Sequence, residues 1–241
     1  LDAELLVADA MGLCRTDVVC DPNRILEQYE LDRAQANILR RAAREPVSYI
    51  RGICWFGHLK LGIDKRALIP RPETELLCEV ALGMREGASV FEVGVGSGAL
   101  ALSIKHERPD LCVAGSDRSS DAVALARQNA SSLGLNVDFS CKDGLACESA
   151  DLVVANLPYV SSAQWPQLAR EITLYEPYDA LVAGPTGLEV ISALIRRAPA
   201  NSKIALEHAP DQAACVRGML RHACTHRDLA GRERITVGSV P

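Results

Sequence analysis

Four consecutive residues, Asn156-Leu157-Pro158-Tyr159, carry the most specific chemistry in the sequence. Asn156 offers a side-chain carbonyl and Leu157 a backbone carbonyl, and together they can accept both hydrogens of one NH₂ group. Tyr159 can lay an aromatic face against a planar amide or base. This set suits methyl transfer to a planar nitrogen, whose lone pair is delocalised and a poor nucleophile. Two fixed acceptors favour a geometry in which that lone pair localises toward the methyl group. They tighten as charge develops on the nitrogen, so they stabilise the transition state more than the ground state. Alignment with the methyl carbon adds an orientation contribution of several kcal/mol. The sequence offers no obvious base for the departing proton.

A second group of residues can hold a small-molecule donor. Gly94-Val95-Gly96-Ser97-Gly98-Ala99 follows a strand-like run and opens a helical pattern. Glycines there allow a tight turn and close approach of a ligand, and the helix start offers unpaired N–H groups. The run also satisfies the dinucleotide pattern G-x-G-x-x-A, which alone is a weak signal. Asp117 ends the next strand-like run, where a carboxylate can accept from both hydroxyls of a ribose. Asp143-Gly144 follows the third, from which Asp143 could reach an adenine amino group. Gly94, Gly96, Gly98, Asp117 and Asp143 thus outline a nucleoside pocket at the carboxyl ends of three strands, with Asn156 beside it. NAD and S-adenosylmethionine both suit that outline, and the acceptor pair favours S-adenosylmethionine.

Placing these groups together takes a parallel sheet. From residue 87 onward, strand-like runs at 89–93, 112–116, 137–141, 151–155 and 203–207 alternate with helical patterns at 99–105, 121–133 and 187–197. This rhythm predicts an α/β fold with helices on both faces, and 234–237 reads as one more strand. Residues 1–45 read instead as three short helices. The first covers 2–11 and ends at Gly12, the second opens at Asp21-Pro22, and the third is capped by Asp32 with Ile38, Leu39 and Ala42 on one face. A short hairpin is expected within 55–63. Leu68-Ile69-Pro70-Arg71-Pro72-Glu73-Thr74-Glu75 then runs extended because of its two prolines, before a helix through Leu76, Leu77, Val80 and Ala81.

Taken together, these motifs resemble the HemK/PrmC family, the protein-(glutamine-N5) methyltransferases of peptide-chain release factors. The likeness covers essentially the whole chain. It includes Glu45-Pro46 with Tyr49-Ile50 and Gly52, the Ile-Pro-Arg-Pro-Glu-Thr-Glu segment at 69–75, the glycine loop and the tetrapeptide. Glu176-Pro177 with Ala180-Leu181, Leu206-Glu207-His208, and Arg227-Asp228-Leu229-Ala230-Gly231-Arg232-Glu233-Arg234 complete it. The resemblance implies a helical substrate-recognition domain over 1–45 and a linker with a hairpin over 46–70. A Rossmann-like S-adenosylmethionine-dependent methyltransferase domain would follow over 71–241, with seven strands, the last antiparallel. It further implies cofactor contacts at Gly94, Val95, Gly96, Ser97, Gly98, Asp117, Asp143, Gly144 and Asn156. Asn156, Leu157, Pro158 and Tyr159 would hold the glutamine of a Gly-Gly-Gln loop and form the catalytic set. The family usually carries Asn-Pro-Pro-Tyr. Leu157 keeps the carbonyl of the second position but restores an N–H and a freer φ. Gly144 stands where some members carry a large aromatic, which leaves a backbone contact there. Asn-Leu-Pro-Tyr is similar to the tetrapeptide of ribosomal RNA adenine dimethyltransferases, so an adenine-N6 methyltransferase acting on RNA or DNA is the alternative.

Composition weighs between the two. The 241 residues carry a formal net charge of −5, with a pI near 5.6 and 4% aromatic residues. That balance disfavours phosphate gripping and base stacking, so a protein acceptor without stable nucleic-acid binding is expected. No apolar run reaches the ~18 residues that cross a bilayer, and the acidic start lacks the basic region of a signal peptide. The expectation is a cytoplasmic monomer. Nine cysteines are scattered (Cys14, Cys20, Cys54, Cys78, Cys112, Cys141, Cys147, Cys215, Cys224) with no C-x-x-C, which predicts reduced, buried thiols and no metal. Arg40, Arg41, Arg44 and Arg51 read either as a solvated face or as a docking surface for an acidic patch of the release factor. His208, His58, Trp165 and Tyr175 read as packing residues.

Overall fold

In the computed structural model, which describes residues 1–144 and 150–241, the chain begins with four helices. They are α1 (Asp2–Met11), α2 (Arg15–Cys20), α3 (Gln28–Ala42) and α4 (Val47–Arg51). Gly12 ends α1 at φ +66°, a left-handed conformation that glycine adopts without a Cβ penalty. Leu6, Ala8 and Ala10 of α1 and Ala34 of α3 are buried where these two helices meet.

Three local expectations are corrected here. Asp21-Pro22 ends α2 and opens no helix, because proline drives the preceding residue out of the helical region, and Asp21 sits at φ −126°, ψ 71°. Asp32 lies inside α3, which starts behind Glu27, whose backbone N–H donates to the Glu30 carboxylate (2.9 Å). Ile38 and Leu39 are exposed, since the face of α3 that meets α1 is the one carrying Ala34, Asn37 and Arg41.

Strands β1 (Ile53–Phe56) and β2 (Leu59–Gly62) form the hairpin, with Cys54, Phe56, Leu59 and Leu61 turned inward. His58 is exposed at its turn and takes no part in packing. A single 3₁₀ turn, Pro72–Thr74, leads into α5 (Glu75–Leu82).

The rest alternates as predicted: β3 (Ser89–Val93), α6 (Ala99–Glu107), β4 (Cys112–Asp117), α7 (Ser120–Leu133), β5 (Asp138–Cys141) and β6 (Leu152–Ala155). An insertion follows, made of β7 (Val160–Ser161), α8 (Arg170–Tyr175) and β8 (Val182–Gly184). Then come α9 (Glu189–Arg197), β9 (Lys203–Glu207), α10 (Ala213–Gly218), β10 (Arg221–Arg227) and β11 (Glu233–Ser239). The main sheet has seven strands in the order β10-β11-β9-β6-β3-β4-β5, and β11 runs antiparallel to both neighbours. All four residues of β6 are buried, as befits a central strand covered on both faces. On one face Val90, Leu152 and Val154 pack with α5, α6, α7 and the hairpin; on the other Phe91, Val153 and Leu206 pack with α9 and α10.

Of the eight described cysteines only Cys54 and Cys78 are buried, and burial pushes their thiols up to about 11 and about 12. The reading of the cysteines as core residues therefore holds for two; Cys147 lies outside the described residues. Among the described residues no helix is long and apolar enough to cross a membrane.

Candidate active site

The carboxyl ends of β3, β4, β5 and β6 open onto a cavity of about 660 Å³, a volume usual for a small-molecule site. Gly94, Val95, Gly96 and Ser97 form one wall. Gly94 has φ +80°, and a Cβ there would sit 3.1 Å from Leu157 Cδ2, so glycine lets the tetrapeptide close onto the loop. Gly98 does not line the cavity. It starts α6 at φ +80°, where a Cβ would meet Ala126 Cβ at 3.1 Å, so helix packing explains it. The loop spends its own donors: the Gly94 and Val95 N–H groups donate to Ser116 O (2.8 and 3.2 Å), and the Gly98 N–H to Val95 O (2.7 Å).

Asp117 closes this circuit. Its Oδ2 accepts from the Gly96 N–H and its Oδ1 from the Ser119 N–H, both at 2.9 Å. The Gly94, Val95, Gly96 and Gly98 N–H groups are therefore spent within the protein, which leaves the loop few donors for a pyrophosphate. Asp117 lines the cavity, and each of its oxygens, having accepted one N–H, keeps capacity for a further hydrogen bond such as a ribose hydroxyl donates. Asp143 and Gly144 also line the cavity. Asp143 is largely exposed and paired with Arg197 (3.2 Å), and Gly144 O accepts from Ser116 Oγ (2.5 Å). Glu92 is fully buried in the same wall; burial raises its carboxyl well above the ordinary value, against the Ala101 N–H that donates to it (2.9 Å).

Asn156, Leu157 and Pro158 stand on the opposite wall, directly after β6. Asn156 Nδ2 donates to Thr74 Oγ1 (2.9 Å), and Thr74 Oγ1 donates to Glu207 Oε2 (2.7 Å). Tyr159 Oη donates to the other oxygen, Oε1 (3.1 Å). Among the described residues no donor reaches Asn156 Oδ1 or Leu157 O, so the two predicted acceptors are free. Tyr159 lies off the main cavity, in a smaller recess with Leu68 and Arg71, because its hydroxyl is drawn to Glu207. Burial beside the Glu207 carboxylate raises its phenol. His208 is buried between Thr236 Oγ1 (2.8 Å) and Ala209 O (2.9 Å), and burial lowers its pKa, as suits a structural histidine.

The insertion after Tyr159 anchors the site to the N-terminal helices. Glu176 bonds Arg71 (2.6 Å) and the Ile69 N–H (3.1 Å), and Tyr175 Oη donates to Ala43 O (2.8 Å). Trp165 stacks edge-on against Tyr178. The docking reading of the arginine cluster is not supported: Arg40 pairs with Glu45, Arg41 with Asp2 and Glu171, Arg44 with Glu171, and Arg51 with Asp9. One partner is five residues away and the others are distant in sequence, and together they neutralise what looked like a free basic face.

Residues 1–52 match the PrmC N-terminal domain family, and residues 90–174 match a methyltransferase domain family. The release factor glutamine methyltransferase of Pseudomonas aeruginosa is 40% identical, over 99% of this chain and 91% of its own length. That of Caulobacter vibrioides is 35% identical, over 99% and 88%. This chain belongs to the release factor glutamine methyltransferase family. A crystal structure of a methyltransferase from Pyrococcus furiosus shares the fold, with a TM-score of 0.51 and 15% identity over 84% of this chain and 95% of that one.

Family membership favours the glutamine reading over the adenine alternative. Two residues of the site, Thr74 and Glu207, do not stand out as site residues in the sequence. Thr74 reads as a letter of the Ile-Pro-Arg-Pro-Glu-Thr-Glu segment and, with Glu73, as a candidate opener of the following helix, and it is indeed the cap residue of α5. Glu207 is placed by sheet register: Ala155 of β6 pairs with Leu206 of β9, so Asn156, just past β6, and Glu207, the last residue of β9, stand side by side.

Proposed function

We propose that this enzyme transfers the methyl group of S-adenosylmethionine to the side-chain amide nitrogen of the glutamine in the Gly-Gly-Gln loop of a peptide-chain release factor. The observation that carries this reading is the free acceptor pair, Asn156 Oδ1 and Leu157 O, at the edge of the nucleoside-sized cavity. S-adenosylmethionine supplies an electrophilic methyl group on a sulfonium. Gly94, Val95, Gly96 and Ser97 would hold it by backbone contact, Asp117 by the ribose hydroxyls, and Asp143 and Gly144 at the adenine end, with Gly98 shaping the turn.

Asn156 and Leu157 grip the glutamine NH₂ and turn its plane so that the nitrogen lone pair faces the cavity. Their bonds strengthen as that nitrogen becomes electron-poor, which lowers the barrier. Pro158 fixes the chain after the acceptor pair, and Tyr159 closes the side of the site away from the cavity. Residues 1–45 serve as the substrate-recognition domain, 46–70 as the linker with its hairpin, and 71–241 as the methyltransferase domain. The enzyme works as a cytoplasmic monomer, and its acidic balance supports the absence of stable nucleic-acid binding.

The test supplies methyl-labelled S-adenosylmethionine with a release factor and, in parallel, ribosomal RNA. Label is expected on one glutamine of the protein. Equal labelling of a factor whose Gly-Gly-Gln glutamine is alanine, or label on RNA alone, would refute the reading. Asn156→Ala should lower kcat by about 10²–10³, the usual effect of losing one transition-state hydrogen bond, with a smaller change in cofactor affinity.

A further inference from the structure

Asn156 is useful only if its amide presents oxygen, and not nitrogen, to the incoming NH₂. Rotating the amide by 180° would set donor against donor. Nothing in the tetrapeptide fixes this choice, since both amide orientations have the same shape. The fixing must come from behind, where Asn156 meets Thr74.

Thr74 is buried, and its hydroxyl carries one proton. That proton goes to Glu207, 1% exposed at the end of β9. Toward Asn156 the Thr74 oxygen can therefore only accept, so only the Asn156 NH₂ can face it, and Oδ1 turns to the acceptor side. The second Glu207 oxygen is filled by the Tyr159 hydroxyl. An ionised carboxylate is acceptor-only, and it sets the polarity of every bond in the chain. Resting on the glutamine-methyltransferase reading, we propose that Thr74 and Glu207 are positioning residues, and that an ionised Glu207 fixes the amide orientation of Asn156 through the Thr74 hydroxyl.

A protonated Glu207 could donate to Thr74, which could then donate to Asn156 and admit the wrong amide orientation. Activity should therefore be lost as pH falls through the Glu207 titration. Burial raises that carboxyl above the ordinary range, opposed by the Thr74 and Tyr159 hydroxyls and by Arg234 of β11, and reinforced by Glu73. Arg71 stands on the Tyr159 side. The neighbouring His208 ring is directed away, to Thr236 and Ala209.

The experiment has two arms on the full chain. In the first, Thr74→Val should lower kcat on the order of a hundredfold, a cost usual for mispositioning at a reacting centre, with the KM for S-adenosylmethionine unchanged. Thr74→Ser should restore the rate toward wild type. Glu207→Gln should abolish the acidic limb of the kcat–pH profile. In the second arm, which needs no methyl acceptor, the Asn156 side-chain amide NMR signal is assigned by its loss in Asn156→Ala. It should shift with pH in the wild type and stay still in Glu207→Gln. A Thr74→Val kcat within twofold of wild type, an acidic limb that survives in Glu207→Gln, or an amide signal blind to pH would overturn the proposal. Failure of the wild type to label glutamine would sink only the functional reading, and the NMR arm would still decide this one.

Discussion

Replacing Glu176 tests whether the insertion after the acceptor tetrapeptide holds the segment that carries Thr74. The Glu176 side chain is 2% exposed and bonds both Arg71, 30% exposed, and the Ile69 N–H. Removing one partner of a fully buried pair costs about 3–5 kcal/mol. Arg71 reaches water when released, so the ion-pair share here is nearer ~2 kcal/mol, to which the unpaired Ile69 N–H adds ~1 kcal/mol. Glu176→Ala should thus cost about 3 kcal/mol, which for a chain of this size lowers Tm by roughly 6–12 °C. Glu176→Gln keeps an acceptor for Ile69 and loses only the charge, so its shift should be about two-thirds as large. Thermal unfolding followed by circular dichroism reads both, and methyl transfer measured well below either midpoint reads the site. The alanine variant should also lose kcat, since Arg71 lies three residues before Thr74. Two variants that melt within about 2 °C of wild type, or that melt alike, would refute the buried-clamp reasoning.

Gly98→Ala should destabilise the fold by about 2–3 kcal/mol, combining its φ of +80° with the close approach of Ala126. Gly12→Ala, at φ +66° with nothing nearby, should cost only about 1 kcal/mol, and equal denaturation midpoints for the two would contradict this. Asp151 accepts from the Ser89 N–H and hydroxyl, and these bonds, with Arg85, hold its carboxyl down at about 2. Its folded pKa lies below its unfolded one, so its contribution is complete above about pH 4 and fades as pH falls toward 2. Asp151→Asn should therefore flatten the acid side of the stability–pH curve, and an unchanged slope would discount these bonds. Leu157→Pro should preserve transfer to glutamine, because among the described residues the Leu157 N–H makes no hydrogen bond. A large fall in activity would mean that this site is shaped for another acceptor.

What the sequence reveals is what acts locally. The glycine loop, its Asp117 partner and the Asn156 acceptor pair are legible because each follows a strand by a fixed offset. The strand–helix rhythm is legible because β3 and β6 are buried on both faces and read as apolar runs. Strand β10 is hidden: it is an edge strand whose Arg221, His222 and Arg227 face water, so it carries no apolar alternation. The Asp21-Pro22 pair is ambiguous because proline both starts and ends helices. Contacts between distant residues leave no trace in either pattern. Thr74 and Glu207 are 133 positions apart, and Arg41 and Glu171 are 130 apart. These are the contacts that turn a plausible tetrapeptide into an oriented one, and a basic face into a set of closed ion pairs.

Leu157 brings these points together. A proline at that position would stiffen the acceptor pair from within, by fixing φ. In this chain the stiffness comes from outside the tetrapeptide. The Leu157 side chain is buried against Gly94, whose missing Cβ makes room for it. Asn156 is held from behind by Thr74, and Thr74 by Glu207. Thr74 in turn sits on a segment whose two prolines limit its motion and whose Arg71 is clamped by Glu176. Preorganisation by packing and by proline are interchangeable in effect, since each lowers the entropy of ordering the acceptors before the glutamine arrives. The departure from the usual family tetrapeptide therefore leaves both acceptor oxygens in place: among the described residues no donor occupies Asn156 Oδ1 or the Leu157 carbonyl.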